Sequence, residues 1–125
     1  TNTGNYSAAT NTGNYSAATN TGDNSAATNT GDNSAATNTG NYSAATNTGN
    51  YSAASVEGKE SVAINTGIEG KAKGKKGCWL VLSEWKQDEK YDWQRADMKT
   101  VLVDGDKIKE DVFYILKNGE FVEVQ

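Results

Sequence analysis

The first 54 residues are a nine-residue phrase written six times: TNTGNYSAA twice, TNTGDNSAA twice and TNTGNYSAA twice. Two degenerate units, SVEGKESVA and INTGIEGKA, carry the period on to Ala72. Self-similarity at a fixed short period means that each unit builds the same local structure and buries itself against its neighbours. A chain with this period folds as an array or does not fold. The alternative for so polar and simple a stretch is disorder.

Numbering the places of each unit one to nine, Gly holds place four in all eight units: Gly4, Gly13, Gly22, Gly31, Gly40, Gly49, Gly58 and Gly67. Ala holds place nine in all eight. One Gly per period reads as a turn residue that needs positive φ. Between glycines lies SAATNT, uncharged and containing β-branched Thr, which predicts one short strand per unit. Gly, Asn, Thr and Ser recur too densely for a helix, and no apolar position falls at helical spacing.

Places five and six change in pairs of units: Asn-Tyr, Asn-Tyr, Asp-Asn, Asp-Asn, Asn-Tyr, Asn-Tyr. Two strands per coil, eighteen residues per turn, explains the pairing, although recent duplication produces the same pattern. The expected fold is all-β: a narrow two-stranded β-solenoid of four coils over residues 1–72, about 19 Å tall at the usual strand spacing. Alternation along the strand puts places seven, nine and two (Ser, Ala, Asn) on one face and places eight, one and three (Ala, Thr, Thr) on the other. Glu57 and Lys71 fall on the second set, so Ser, Ala and Asn are expected inside. Val62 and Ile64 also fall on the second set and argue the other way unless the C-terminal segment covers them.

Composition shifts after the array. Only Asp23 and Asp32 are charged before residue 55, and all three Trp and both Phe come later. Residues 73–125 are expected to form a small antiparallel β module that packs on the last coil as a cap, as solenoid ends require. Its strand-like runs are CWLVLSEW, MKTVLV, VFYILK and EFVEV, with hairpin signals at Asp104-Gly105 and Asn118-Gly119. Trp79, Leu80, Leu82, Trp85, Trp93, Val101, Val103, Phe113, Ile115, Phe121 and Val122 are its expected core.

Several chemistries are set aside by what the chain lacks. It has no His and a single Cys, so structural zinc, His-based acid–base catalysis and an intrachain disulfide are not expected. Its net charge of −4 gives no basic excess for nucleic acid. No apolar run approaches a membrane span, and no signal-like stretch begins the chain, which starts inside a repeat and without Met and is therefore expected to be a piece of something longer. No nucleophile–base pair or metal set stands out, so no cofactor is expected.

Four features remain as candidate sites. Lys71, Lys73, Lys75 and Lys76 form a basic run without aromatic interleaving and read as a solvated loop. Asp104, Asp106, Glu110 and Asp111 lack the spacing of a calcium loop. Cys78 borders a strand and reads as a small buried apolar residue. Tyr6, Tyr15, Tyr42 and Tyr51 sit at corners, where columns of rings would offer a lateral contact surface.

The NTGxxSAA units leading into SVEGKESVAINTGIEGKAKGKKGCWLVLSE resemble the repeat regions of uncharacterised bacterial and prophage-encoded proteins across essentially the whole chain. In repeat style only, the SVAI-type strands are similar to the β-roll heads of trimeric adhesins. Neither resemblance implies an activity. The expected function is a non-catalytic structural module, a spacer or filament-forming segment that self-associates through its N-terminal coil and bears no relation to nucleic acid or membrane. The alternative is an ice-binding surface of outward Thr-x-Thr ranks (Thr1, Thr3, Thr10, Thr12 and their equivalents), in the manner of insect antifreeze proteins.

Overall fold

A computed structural model describes residues 4–6 and 8–124. Eight short strands follow the repeat: β1 (Ala8–Asn11), β2 (Ala17–Asn20), β3 (Ala26–Asn29), β4 (Ala35–Asn38), β5 (Ala44–Asn47), β6 (Ala53–Val56), β7 (Val62–Asn65) and β8 (Lys71–Lys73). Four more follow in the C-terminal segment: β9 (Trp79–Gln87), β10 (Trp93–Leu102), β11 (Phe113–Lys117) and β12 (Glu120–Val124). The fold is an all-β solenoid with coils of eighteen residues. Ala8 pairs with Ala26, Ala17 with Ala35 and Ala26 with Ala44, all parallel and all in register. Odd strands build one sheet in the order β1-β3-β5-β7-β9-β10, and even strands begin the other, β2-β4-β6-β8-β11-β12. We refer to these as the odd and even sheets.

The faces are those expected from alternation. Place-nine Ala and place-two Asn are fully buried from Ala27 and Asn29 onward, place-seven Ser is buried from Ser25, and place-eight Ala and place-one Thr remain half exposed. Inner residues this small bring the sheets close, and their polar atoms are satisfied in ladders along the stack. Asn47 shows the arrangement: its Nδ2 donates to the carbonyls of Ser34 and Ala53, and its Oδ1 accepts from the N–H of Gly49. Ser Oγ forms a second ladder, that of Ser43 accepting from the N–H of Ser25 and donating to the carbonyls of Gly22 and Asn41. A third runs up the corners, where the side-chain oxygen of Asn5, Asp23 or Asn41 accepts the N–H of the residue one coil later. At about 1 kcal/mol net per bond, such ladders take the place of a large apolar core.

One expectation about the corners is corrected. The positive φ lies at place six, not at Gly: Tyr42 is at 55°, Asn33 at 55° and Glu60 at 51°, and the described glycines of place four are absent from the left-handed region. Glycine is required there by proximity between coils. A Cβ on Gly22, Gly31, Gly40, Gly49, Gly58 or Gly67 would stand 1.9 to 2.0 Å from the carbonyl oxygen of the glycine eighteen residues earlier.

The C-terminal strands continue both sheets. β9 runs parallel to β7, with Val62 opposite Trp79 and Asn65 opposite Leu82, and β10 returns antiparallel to β9. β11 pairs antiparallel with β8 at Tyr114 and Ala72, and β12 closes that side. Asn118 (φ 52°) and Gly119 (φ 77°) make the two-residue hairpin between β11 and β12. Asp104-Gly105, in contrast, is no hairpin. It opens the loop that carries the chain from the odd sheet to the even one, with the Asp104 carboxylate accepting from the N–H groups of Asp106 and Ile108. The second hairpin is at Asp88–Asp92, where Tyr91 supplies the positive φ of 63°.

The core of this segment also differs from expectation. Cys78, Leu80, Leu82, Val103, Ile108, Tyr114 and Leu116 are buried, while Trp79, Trp93 and Val122 are exposed and Trp85, Val101, Phe113, Ile115 and Phe121 are half-buried. Leu80 and Leu82 continue the inner positions of Ala63 and Asn65, which forces Trp79 and Val81 outward.

Candidate functional site

Outward threonines form ranks on both sheets. Thr10, Thr28 and Thr46 are cross-strand neighbours on the odd sheet, and Thr19 and Thr37 on the even sheet. Place-three residues such as Thr12, Thr30 and Thr48 are more exposed and lie two residues further along. Thr1 and Thr3 lie outside the described residues. Inward Asn between each outward pair is accommodated by the ladder at Asn29, Asn38 and Asn47.

The corner tyrosines stand out from the fold: Tyr6 and Tyr15 are each 82% exposed, and Tyr42 and Tyr51 more than half. With eighteen residues per coil they fall in two columns, Tyr6–Asn24–Tyr42–Glu60 and Tyr15–Asn33–Tyr51–Glu69. Asn therefore separates the rings by two coils, about 9.6 Å, and they do not stack on one another. The N–H of Tyr42 donates to the Lys59 carbonyl and that of Tyr51 to the Ile68 carbonyl, so the backbone is locked while the rings project.

The basic run divides. Lys71 and Lys73 lie in β8, with their ammonium groups 4.4 and 4.8 Å from the centre of the Phe113 ring. Lys75 pairs with Asp111 at 2.5 Å, and this hydrogen bond raises its pKa above the ordinary lysine value. The N–H of Lys76 donates to Glu110. The acidic residues are thus engaged separately: Asp104 caps its own loop, with a pKa held below the usual carboxylate value by the Asp106 and Ile108 N–H groups, while Glu110 and Asp111 pair with the lysine segment. Among the described residues no three His, Cys, Asp or Glu side chains gather as a metal group. Cys78 is buried, its thiol donating to the Gly58 carbonyl at 2.9 Å.

Two features escaped the sequence reading. Glu84 on β9 is buried and reaches across to the other sheet, where its carboxylate accepts the N–H of Asn118 at 2.6 Å and of Gly119 at 3.0 Å. It clamps the β11–β12 turn. Nothing local to SEW marks that role, because the turn it holds is 34 residues away. The other is the outer face of β9 and β10, where Trp79 stands opposite Leu102, Val81 opposite Thr100, Ser83 opposite Met98 and Trp85 opposite Arg95. The Trp85 ring donates its Nε1–H to the Thr66 carbonyl and carries the Arg95 guanidinium at 4.7 Å.

Among the described residues no helix is long and apolar enough to cross a membrane. Neither a protein-family model, nor a curated protein, nor a solved structure matches the chain.

Proposed function

We propose that this chain is a non-catalytic structural and interaction module: a stiff β-solenoid whose first coil templates a further coil of the same repeat. The observation that carries the reading is the direction of the backbone ladder. In later coils the N–H of place three donates to the coil before, as Thr30 does to Asn11 and Thr48 to Asn29, and so does that of place eight, as Ala35 does to Ser16 and Ala53 to Ser34. Thr12 and Ala17 hold those places in the first coil, and β1 and β2 are the outer strands of the two sheets at that end. Uncharged edge strands with repeated sequence are templates for another copy of themselves.

At the other end β9 and β11 occupy the edges of β7 and β8. Association through the first coil therefore favours a head-to-head pair over a head-to-tail filament. The test is light scattering on the parent and on the variant Thr12→Pro/Ala17→Pro, which removes the two outward N–H groups and leaves intact the carbonyls that receive the next coil. The expected result is a parent whose mass falls in the variant. A monomeric parent, or a mass unchanged by the two prolines, overturns the reading.

The threonine ranks support a second reading, binding to ice. Strand geometry spaces them about 7 Å along the strand and about 4.8 Å between coils. Thermal hysteresis above that of a control protein at equal concentration is the expected result, and its absence removes this reading.

A further inference from the structure

The two outer faces of the solenoid differ in charge. On the even sheet the outward positions include Glu57, Lys71, Lys73, Lys117 and Glu120, around Phe113 and Ile115. On the odd sheet, among the described residues, outward positions run through Ala8 and Thr10, Ala26 and Thr28, Ala44 and Thr46, Val62 and Ile64, Trp79 and Val81, then Leu102, Thr100 and Met98, with no charged side chain. The first charge is Arg95, at the margin of the last strand and laid over Trp85. Side-chain size also grows in one direction, from Ala and Thr on β1, β3 and β5 to Val, Ile, Trp, Leu and Met on β7, β9 and β10. Trp79, Leu102 and Met98 are 44%, 39% and 48% exposed, a cluster of large apolar groups left to water.

We infer that the odd sheet is a face-to-face dimer surface for a second copy of this chain. A twofold axis lying between the two faces, parallel to the strands and passing between β5 and β7, reverses the strand order of the partner. β3 then lies over the partner's β9, β1 over its β10 and β5 over its β7. Every small row meets a large one: Ala26 and Thr28 form a floor for the partner's Trp79 and Val81, and Ala44 and Thr46 for its Val62 and Ile64. This complementarity is isologous, so the contact closes at two copies. No charge is desolvated, and the threonine hydroxyls keep water at the rim. Six strands at about 4.8 Å, each with about 14 Å of outward positions, give a face of roughly 400 Å² per copy. An interface of that size lies below the standard class and is expected to be weak and reversible. The even face cannot pair in the same way, because its Lys71 and Lys73 would be carried out of water.

The matched pair Thr28→Lys and Thr37→Lys tests this, since both are half-exposed place-one threonines in neighbouring strands of opposite sheets. The measurement is made on the Thr12→Pro/Ala17→Pro variant, whose first coil no longer associates. Light scattering over a dilution series should show a dimer of that variant that is lost when Thr28→Lys is added and kept when Thr37→Lys is added. Its tryptophan emission should shift to the red as dilution halves the mass, because Trp79 leaves the floor of its partner. A proline variant monomeric at the highest concentration, equal effects of the two lysines, or dissociation of this dimer without any change in tryptophan emission would each overturn the inference. The emission readout holds even if one lysine variant fails to fold.

Discussion

Gly40 sits on Gly22 so closely that a Cβ on the later residue would stand 1.9 Å from the carbonyl oxygen of the earlier one. The atom in the way is backbone, which the ladders hold from both sides. Gly40→Ala must therefore separate two coils locally and break corner hydrogen bonds on each. Its cost is expected at the upper end of overpacking, about 3 kcal/mol or more, read as a fall in the urea midpoint. Gly13→Ala is the control: the nearest atom to its Cβ is the Ser16 hydroxyl at 3.1 Å, so it should cost far less.

Tyr42 carries the strain that was expected of glycine. Its φ of 55° places a ring-bearing residue in the left-handed region, where Asn is tolerated better. The fold uses Asn itself at the equivalent corners Asn24 and Asn33. Tyr42→Asn should raise stability by about 0.5 kcal/mol, and an unchanged or lowered thermal midpoint would show that the Tyr ring makes a compensating contact.

Asn47 makes three hydrogen bonds inside the stack. Asn47→Ala leaves the Ser34 and Ala53 carbonyls and the Gly49 N–H without that partner, and each buried unpaired group costs about 1 to 3 kcal/mol. A loss of about 3 kcal/mol is expected by chemical denaturation. Asn11→Ala, in the half-exposed first coil, should lose less, because water can replace its side chain.

The array was legible because its signals are local and repeated. Pairwise variation at Asn14-Tyr15 and Asp23-Asn24 gives the coil length, and Glu57 and Lys71 mark the outer face. The reason for Gly at place four was not legible, since the atom that excludes a side chain lies eighteen residues away. Positive φ at place six was hidden by its mixture of Tyr, Asn and Glu. In WLVLSEW both parities are apolar, so alternation alone does not choose between Leu80 and Trp79 as the inner residue. The choice is made by register with Ala63 and Val62. The hairpin at Asp88–Asp92 was missed because Tyr91, not Gly, takes the turn, whereas the obvious Asp104-Gly105 signal belongs to an Asp-capped loop.

That loop gives a pH prediction. The Asp104 pKa is held below its ordinary value by N–H donors that favour the carboxylate. A depressed folded-state pKa means that the stabilisation is complete above the ordinary carboxylate range and disappears as pH falls through the folded-state value. Asp104→Asn should lower the urea midpoint at pH 7, and the gap from the parent should narrow as pH falls below the ordinary carboxylate range. A gap that stays the same size as pH falls would show that the side chain acts through shape and not charge.

Glu84 offers the last test, because it joins elements that the chain order keeps apart. Its carboxylate lies on β9 of the odd sheet and takes both N–H groups of the Asn118-Gly119 turn on the even sheet, with Lys86 Nζ 3.9 Å away. Charge-assisted bonds of this kind contribute about 1.5 to 3 kcal/mol. Glu84→Gln keeps one oxygen as acceptor but turns an NH2 group toward the other N–H, so it should cost about 2 kcal/mol. The damage should be local. Hydrogen exchange should quicken at Asn118, Gly119 and along β11 and β12, while amides of β3 to β5 keep their protection. Equal acceleration in the array would mean that the solenoid does not stand without this clamp, and that the C-terminal strands support all four coils.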